Sequence, residues 1–332
     1  MSQTKSHAIR IHQSGGPEVL QWDSIEVDKP AAGQVKLRQT ACGLNYIDIY
    51  MRDGVYPIAE YPSILGMEAA GVVEELGEGV AEMDLGLKVG DRVAYAMVAG
   101  AYAEERLIDA LKLIKIPDSI DDKTAATMML KGLTAHYLLF RTYPVKAGDT
   151  ILVQAASGGV GLMLCQWAKH LGAIVIGTVG SEEKAQLALN NGCDHAIFYR
   201  EENIPERVRE LTNGEGVAVV YDGIGQSTFE ASLDSLRPFG TMVTYGNITG
   251  QVEAFSPKIL APKGSLYVTR PTLGTHTATR ELLVEGAERL IDVISKGIVK
   301  NHINQSYALK DTAQAHQDIE ARITTGSTVL IC

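Results

Sequence analysis

The chain has 332 residues, of which 45% are apolar and 21% charged, a composition typical of a globular protein with two domains. Its formal net charge of −10 disfavours nucleic acid as a partner, because binding a phosphate backbone requires a basic face. The N-terminal stretch is polar and no apolar run approaches the roughly 20 residues of a membrane span, so we expect a cytoplasmic protein with no membrane segment.

The four cysteines, Cys42, Cys165, Cys193 and Cys332, are far apart and form no C-x-x-C pair. A disulfide framework is not expected in a chain of this size with so few cysteines. We interpret each as a small buried or terminal residue.

The first part of the sequence has the pattern of a β-rich unit. Residues 35–38 alternate apolar and charged side chains, as a half-buried strand does. Residues 71–76 end in a glycine turn, and residues 90–93 mark a further turn and strand. Only residues 45–52 have a helical pattern. Short strands joined by glycine-rich turns predict a compact, barrel-like unit.

From about Lys131 onward, apolar β-type runs alternate with helical segments. The runs are residues 151–153, 174–176, 196–197, 217–220, 242–243 and 266–268, and the clearest helical segments between them are residues 162–170, 182–190, 206–211 and 229–236. This alternation predicts a six-stranded parallel sheet with right-handed crossovers, the doubly wound α/β fold that binds dinucleotides.

The pattern changes again after Pro271. Two helical stretches, residues 280–295 and 312–324, precede a last strand at residues 328–331. This tail is too small to fold alone, so we expect it to return to the first domain. The predicted domains are therefore residues 1–130 with 271–332, and residues 131–270.

A glycine turn follows the first strand of the alternating region. Residues 156–161, ASGGVG, match G-x-G-x-x-G with Ala156 at the first position, between a strand and a helix as this fingerprint requires. Gly158 leaves room for a pyrophosphate, and Gly161 lets the helix pack closely on the strand. The helix N-terminus offers N–H groups and a positive dipole to the phosphates. The turn predicts a dinucleotide site; the alternative is a tight turn without a ligand.

The end of the second strand bears on which dinucleotide binds. An NAD site usually places an acidic residue about 20 residues after the glycine motif, to bind the ribose 2′-hydroxyl. Residues 174–181, IVIGTVGS, contain no acid, and Lys184 follows on the next helix, where it can pair with a 2′-phosphate. The alternative for Lys184 is an exposed helix lysine. The pattern favours NADPH.

Eight short motifs in order carry a family resemblance. They are residues 15–20 (GGPEVL), 43–48 (GLNYID), 66–71 (GMEAAG), 90–93 (GDRV), 131–134 (KGLT), 155–161 (AASGGVG), 220–222 (VYD) and 264–271 (GSLYVTRP). Almost end to end, the chain resembles the zeta-crystallin-like quinone oxidoreductases, a zinc-free group of the medium-chain dehydrogenase/reductase superfamily. The resemblance implies a GroES-like β-rich catalytic domain, a Rossmann cofactor domain, NADPH as cofactor, a quinone as substrate, and a homodimer through the exposed edge of the cofactor sheet.

Alcohol dehydrogenases of the same superfamily hold a catalytic zinc, which needs three side-chain ligands. At the corresponding positions this chain has Asn45, Met67 and the apolar pair Met129-Leu130. The four-cysteine structural zinc lobe is also missing. We therefore expect no metal site.

Position by position, the resemblance also implies a cofactor shell. Around the nicotinamide it places Tyr46, Asp48, Tyr50 and Thr134, and at the pyrophosphate Gly159 and Val160 beside Gly158 and Gly161. Around the adenosine 2′-phosphate it places Gly180, Ser181, Lys184, Tyr199 and Arg322. Along the remaining groove it places Gly223, Tyr245, Gly246, Asn247, Ile248, Tyr267, Val268 and Thr269; Gly223 stands where close relatives often have serine. Without the resemblance, most of these tyrosines would be interpreted as buried aromatics and Arg322 as a solvated residue.

The implied reaction is metal-free reduction of a quinone by NADPH in a water-poor cleft between the domains. A quinone is strongly electrophilic and needs less Lewis-acid help than a ketone. The candidate catalytic residues are Asn45, Tyr50 and Thr134, with Asn45 or Tyr50 donating a hydrogen bond to the developing oxyanion. The alternatives are a reductase of enones or other activated alkenes and, in a different class, a nucleotide-binding structural or RNA-binding protein.

Overall fold

The structure is a computed structural model, and it describes residues 4–332. Its strands are β1 (Thr4–Ile11), β2 (Gln21–Val27), β3 (Gln34–Leu44), β4 (Ser63–Ile64), β5 (Glu68–Leu76), β6 (Arg92–Ala96), β7 (Glu105–Asp109), β8 (Ile114–Lys115), β9 (Thr150–Val153), β10 (Ile174–Val179), β11 (His195–Phe198), β12 (Val217–Asp222), β13 (Leu236–Thr244), β14 (Tyr267–Thr269), β15 (Ile303–Ala308) and β16 (Ser327–Ile331). Its α-helices are α1 (Tyr46–Arg52), α2 (Asp122–Tyr137), α3 (Gly159–His170), α4 (Glu182–Leu189), α5 (Ile204–Leu211), α6 (Phe229–Asp234), α7 (Leu273–His276), α8 (Arg280–Ser295) and α9 (Thr312–Glu320). Among the described residues, no helix is both long and apolar enough to cross a bilayer.

The chain forms two compact units. The first consists of residues up to 131 together with 279–295 and 301–332, and the second of residues 132–278 and 296–300. The predicted second domain ended at residue 270, whereas the structure places residues 271–278 in the second unit. There Arg141 donates to the carbonyl of His276 at 2.8 Å, and the rings of Tyr137 and His276 stack with centroids 4.4 Å apart.

The first unit is built around the long strand β3. One sheet has the order β15-β16-β3-β5-β6-β8, with β7 also paired to β3, and a smaller sheet has the order β2-β1-β4. Within β3 the residues up to Gln39 alternate between buried and more exposed positions, whereas residues 41–44 are buried throughout, where β16 and β5 flank the strand. Apolar side chains from these strands, including Val35, Leu37 and Tyr95, form the core. The prediction of a β-rich first domain is confirmed.

The second unit contains a six-stranded parallel sheet with the order β11-β10-β9-β12-β13-β14. This is the order of a doubly wound dinucleotide fold, so the predicted fold class is confirmed. All of β12 is buried, as expected for a central strand covered by helices on both faces. In this fold the order reverses beside the first strand, here β9, and ligands bind beyond the carboxyl ends of the strands at that point.

Helix α2 was not predicted. Its residues 125–129 are all buried, so no polar stripe gives the sequence a helical period. The boundary between the two units falls inside this helix, after Lys131. Helix α9 ends at Glu320, earlier than the predicted residue 324, because the chain turns through a positive φ of 59° at Arg322.

Candidate cofactor site and buried ionic cluster

The glycine turn connects β9 to α3 and is held by backbone and side-chain bonds from β10. Thr178 accepts hydrogen bonds from both Ala155 N (3.1 Å, on Oγ1) and Ala156 N (3.1 Å, on its carbonyl). Gly158 is the N-cap of α3 and has no side chain with which to cap the first-turn N–H groups. Residues 158–160 are partly exposed, whereas their flanking residues are buried. The turn therefore presents helix N–H groups at the carboxyl end of the central strand.

The two key glycines of this turn are required for different reasons. A Cβ at Gly161 would lie 2.4 Å from Ala155 O and 2.8 Å from Ala156 O, so packing alone requires glycine there. A Cβ at Gly158 would meet only Ala155 O, at 3.3 Å, and the φ of Gly158 is an ordinary −78°. Backbone conformation does not require glycine at 158, and packing constrains this position much less than it constrains position 161.

A buried polar network ties together the carboxyl ends of β9, β10 and β12. Thr178 donates to Gln154 Oε1 at 2.7 Å, and Gln154 Nε2 donates to Ser232 Oγ at 3.0 Å. Ser232 and Thr228 both donate to Asp222 Oδ2, at 2.8 and 2.7 Å. Because these buried side chains hydrogen-bond to one another, the network fixes the strand ends around the turn.

At the end of β10 the structure brings together the residues predicted to bind a 2′-phosphate in this unit. A Cβ on Gly180 would lie 2.8 Å from the hydroxyl of Tyr199, so the phenol packs directly against the glycine. Ser181 caps α4 by accepting from Lys184 N at 3.4 Å. The guanidinium of Arg200, a residue absent from the sequence-based set, lies 5.7 Å from the centre of the Tyr199 ring. No carboxylate lies in residues 174–181.

The ends of β12 and β13 are also in contact. A Cβ on Gly223 would lie 3.0 Å from the Tyr245 ring, and one on Gly246 would lie 2.2 Å from Gly223 O. Asn247 is buried, and Ile248 N donates to Gly223 O at 3.5 Å. A serine at position 223 would therefore need the Tyr245 ring to shift. The remaining predicted residues of this unit are the buried Thr134 on α2 and β14 itself, whose Tyr267, Val268 and Thr269 pair with β13.

In the first unit, Asn45 belongs to a buried ionic cluster. Lys131 Nζ donates to Asn45 Oδ1 at 2.7 Å and to Leu44 O at 3.3 Å, and lies 3.5 Å from Glu68 Oε2. Asn45 Nδ2 donates to Glu68 Oε2 at 2.8 Å and to Gly43 O at 3.4 Å. Both ends of the Asn45 amide are thus engaged inside the protein.

Asp48 lies in the same cluster, at the start of α1. Its Oδ2 accepts from Asn45 N at 2.9 Å and from Tyr102 Oη at 2.8 Å, whereas its Oδ1 has no partner and the side chain has no exposed surface. Burial raises the pKa of Asp48 to about 7, although these two hydrogen bonds and the charge of Lys131 lower it. In this conformation the contacts of the Asp48 carboxylate are with Asn45 and Tyr102, inside the protein.

The hydrogen-bond chain continues to the last helix of the first unit. Arg52 NH1 lies 3.1 Å from His316 Nδ1, and His316 Nε2 lies 3.4 Å from Tyr102 Oη. Since Arg52 can only donate, Nδ1 accepts and the imidazole proton resides on Nε2. Burial, together with the positive charge of Arg52, lowers the pKa of His316 to about 3. Arg52 also pairs with both carboxylate oxygens of Glu320.

Three tyrosines form an aromatic group on and beside α1. The ring centres of Tyr46 and Tyr50 are 6.3 Å apart, and those of Tyr50 and Tyr56 are 5.4 Å apart, edge to face. The Tyr46 hydroxyl donates to Ile319 O at 3.1 Å; burial raises the pKa of Tyr46, while the charge of Arg322 lowers it. All three rings are partly exposed, and Arg322 is exposed. These tyrosines therefore keep exposed surface, unlike the buried Asn45, Asp48 and Tyr102.

The resemblance identifies Asn45, Met67 and Met129-Leu130 as the positions that correspond to zinc ligands in the alcohol dehydrogenases. These positions lie in this cluster or beside it. Met67 is almost fully buried next to Glu68 in the sequence, and Leu130 N donates to Glu68 Oε1 at 2.8 Å. Over residues 4–332, no group of three or more His, Cys, Asp or Glu side chains is arranged to hold a metal ion.

Sequence reasoning did not identify Glu68, Lys131, Tyr102 or His316. A signal was present for two of them, because Glu68 interrupts the apolar run GMEAAG and Lys131 interrupts the apolar run of α2. A charged residue inside a run that must be buried needs a partner. Tyr102 and His316 carry no comparable signal, since their contact joins residues far apart in the chain.

Two family models match the chain. "Alcohol dehydrogenase GroES-like domain" matches residues 31–118, and "Zinc-binding dehydrogenase" matches residues 159–288. The chain is 49% identical to a quinone oxidoreductase of Pseudomonas aeruginosa, covering 97% of this chain and 98% of the relative. It is 44% identical to a 2-haloacrylate reductase of a Burkholderia species, covering 98% of each.

Among solved structures, the chain is similar to Escherichia coli quinone oxidoreductase complexed with NADPH. The TM-score is 0.95 and the sequence identity 46%, and the match covers 98% of this chain and 100% of that one. A crystal structure of 2-haloacrylate reductase matches with a TM-score of 0.86 at 43% identity, covering 98% of this chain and 99% of that one.

Proposed function

The chain belongs to the quinone oxidoreductase family, and on that premise we propose that it reduces a quinone with hydride from NADPH. The observation that carries the proposal is Gly158. It stands partly exposed at the N-terminus of α3, with an ordinary φ and only Ala155 O, at 3.3 Å, close to the position of a Cβ, so a ligand accounts for the glycine better than packing does. A pyrophosphate approaching the helix N-terminus is such a partner.

The residues of the second unit fit NADPH. The N–H groups of Gly159 and Val160 would bind the pyrophosphate, and Lys184 would pair with the 2′-phosphate, with Gly180, Ser181 and Tyr199 beside it. Arg200 adds a second cation at this strand end. NADH would lack its usual carboxylate partner, because residues 174–181 contain none. When bound, NADPH would supply the hydride, and we propose that Gly223, Tyr245–Ile248, β14 and Thr134 line the rest of its groove in this unit.

On the acceptor side, we propose Tyr50 as the hydrogen-bond donor to the developing oxyanion. Asn45 is the weaker candidate, because its N–H groups point to Glu68 and Gly43 O. Tyr50 lies in the partly exposed aromatic group, where a flat quinone ring can stack. Asn45, Asp48 and Lys131 then hold the start of α1, which carries Tyr50, in place.

The proposal is tested by steady-state assay of the purified enzyme with 9,10-phenanthrenequinone and NADPH. We expect quinone-dependent NADPH oxidation, with NADH a much poorer donor. Tyr50→Phe should lower kcat/KM about 10-fold if its hydroxyl donates a single neutral hydrogen bond, worth up to about 1.5 kcal/mol, to the oxyanion. No turnover with a panel of quinones would refute the activity, and an unchanged Tyr50→Phe enzyme would remove only the tyrosine role.

The cofactor preference has its own test. Lys184→Ala should weaken NADPH binding by about 1.5–3 kcal/mol, the usual loss for a charged hydrogen bond, and leave NADH binding nearly unchanged. The two dissociation constants can be measured by quenching of protein fluorescence. Equal losses for both cofactors would show that Lys184 does not contact the phosphate.

Reduction of an activated alkene is the second candidate. Its support is the 44% identity over 98% of the chain to a 2-haloacrylate reductase. Assaying 2-chloroacrylate and an α,β-unsaturated ketone beside the quinone separates the two activities. A kcat/KM for the alkene above that for every quinone tested would reverse our assignment.

We also propose that the protein is a cytoplasmic homodimer. The outer strand β14 offers an unpaired edge, beside which Tyr267 is 61% exposed and Phe239 70% exposed. Light scattering should give about twice the chain mass of 35.8 kDa. A species with the mass of a single chain at micromolar concentration would reject the dimer.

The net charge of −10 disfavours an RNA-binding role. Tight, salt-sensitive RNA binding together with a lack of any reductase activity would support that role instead.

A further inference from the structure

The four cysteines, distant in sequence, meet in two pairs. Cys42 and Cys332 have their Sγ atoms 3.5 Å apart in the first unit, and Cys165 and Cys193 have theirs 3.4 Å apart in the second. The pairs differ in access: Cys332 is exposed, whereas Cys165 and Cys193 are both buried. The cysteines are buried or terminal, as predicted, but the sequence did not indicate that they contact each other in pairs.

The pairing of β16 with β3 explains why Cys42 and Cys332 meet. In this antiparallel pair Leu330 lies opposite Cys42 and Ile331 opposite Ala41, and Cys332 N continues the ladder by donating to Thr40 O at 3.4 Å. Because side chains alternate along a strand, Cys42 and Cys332 project from the same face as diagonal neighbours. Two neighbouring strands thus hold the two thiols in contact.

We propose that Cys42 and Cys332 form an oxidative modification site, in which a hydroperoxide converts the two thiols into an intramolecular disulfide. The exposed Cys332 thiol reacts first, giving a sulfenic acid and releasing water (or the alcohol, for an organic peroxide). The Cys42 sulfur then attacks that sulfur, forming the S–S bond and releasing a second water with the Cys42 proton. Two thiols lose one electron each, and the peroxide takes up both.

The difference in burial between Cys42 and Cys332 determines which thiol is oxidised first. Cys42 is fully enclosed, and burial raises the pKa of its thiol, so it does not meet the oxidant itself. Its contact with Cys332 makes it the resolving thiol. Once Cys332 is oxidised, closing 3.5 Å to an S–S bond of about 2.05 Å needs only small side-chain movement.

The hydrogen bonds that the thiols give up have replacements in place. Cys42 donates to Ala101 O at 2.8 Å, and Cys332 is 3.8 Å from Ala103 O. The Nε2 of Gln39 donates to both of these carbonyls. Oxidation therefore leaves no buried carbonyl without a donor, and the disulfide fits the existing structure.

The test is peroxide treatment of the full-length protein, followed by blocking of free thiols under denaturing conditions and peptide mapping without reductant. We expect a peptide cross-linked through Cys42 and Cys332, a mass loss of two hydrogen atoms, and reversal by dithiothreitol. Because the bond closes a loop spanning 290 positions, the oxidised protein should unfold at a higher temperature than the reduced protein.

The second pair provides the matched control. Cys193→Ser should leave cross-linking unchanged, whereas Cys332→Ser, an exposed substitution that spares the core, should abolish it. Circular dichroism confirms that each variant is folded. Conversion of Cys332 to the sulfinic acid with Cys42 still free would overturn the proposal, and so would a Cys165–Cys193 cross-link formed as fast as the Cys42–Cys332 one.

Discussion

Replacing Lys131 with methionine tests the buried ionic cluster directly. Methionine keeps an unbranched apolar stem of similar length but removes the ammonium that contacts Asn45 Oδ1 (2.7 Å), Leu44 O (3.3 Å) and Glu68 Oε2 (3.5 Å). Lys131 is 5% exposed and Glu68 is fully buried, so water cannot take the place of the lost group without opening the structure.

The expected cost follows from these contacts. Breaking a buried ion pair by removing one partner destabilises a protein by about 3–5 kcal/mol, because the other charge stays buried and unpaired. A buried acceptor left without a donor costs about 1–3 kcal/mol, and Asn45 Oδ1 becomes one. The two effects overlap in the same few atoms, so we expect a total of about 3–5 kcal/mol for Lys131→Met.

Urea unfolding followed by circular dichroism measures this cost. Lys123→Met, on the exposed side of the same helix, is the matched control and should change the free energy of unfolding by less than about 0.5 kcal/mol. Adding Glu68→Gln to Lys131→Met removes the unpaired charge and should recover part of the loss. The prediction would be wrong if Lys131→Met lowered the free energy of unfolding by less than about 1 kcal/mol and its effect added to that of Glu68→Gln. The ion pair between Lys131 and Glu68 would then contribute nothing to stability.

Two further predictions use paired variants. The pKa of Asp48 is raised from 3.8 to about 7 in the folded protein, so its contribution to stability is full at low pH and is lost as the pH rises through 7. The pKa of His316 is lowered from 6.5 to about 3, so its contribution is full above pH 6.5 and is lost as the pH falls toward 3. Between about pH 4 and 6.5 the effects of Asp48 and His316 on stability have opposite signs. As the pH falls through this range, Asp48→Asn should lose more thermal stability than the wild type, whereas His316→Gln should lose less or gain stability. Parallel stability profiles for the three proteins would contradict these pKa shifts. In the glycine turn, Gly161→Ala should lower stability by about 1–3 kcal/mol, because its Cβ would lie 2.4 Å from a carbonyl oxygen. Gly158→Ala should cost below about 1 kcal/mol and yet weaken NADPH binding at least 10-fold; a variant that binds NADPH normally would remove the pyrophosphate from this position.

The second unit was predictable because its signals are local. Each buried strand is a short apolar run, and each crossover helix repeats its apolar residues at helical spacing. The glycine turn lies where a strand meets a helix. Helix α2 lacked such a signal, since burial around residues 125–129 erases the polar face that would reveal a helix. Strand β15 was also missed, although its alternating burial is that of an ordinary half-buried strand.

The candidate site was predictable only in part. The sequence identified Asn45 and Asp48 through the family resemblance, but not that Glu68 and Lys131 engage the Asn45 amide. The contacts of His316 with Arg52 and Tyr102 join the last helix to residues more than two hundred positions earlier. Such contacts depend on strand order and helix docking, which no local pattern encodes. The same reason hid the two cysteine pairs.

The bond between Lys131 and Asn45 bears on whether zinc ligands alone could give this chain a metal site. Asn45→Cys and Met67→His would introduce two zinc-ligand types at the positions implied by the resemblance, yet they would not by themselves create a binding site. The new thiol would face an ammonium that lies 2.7 Å from the present Asn45 side chain and already balances Glu68. A dication entering there would meet a resident positive charge, so Lys131 would have to change as well. With Lys131 in place, the two substitutions alone would break the Asn45 contacts with Lys131 and Glu68 without producing a metal site.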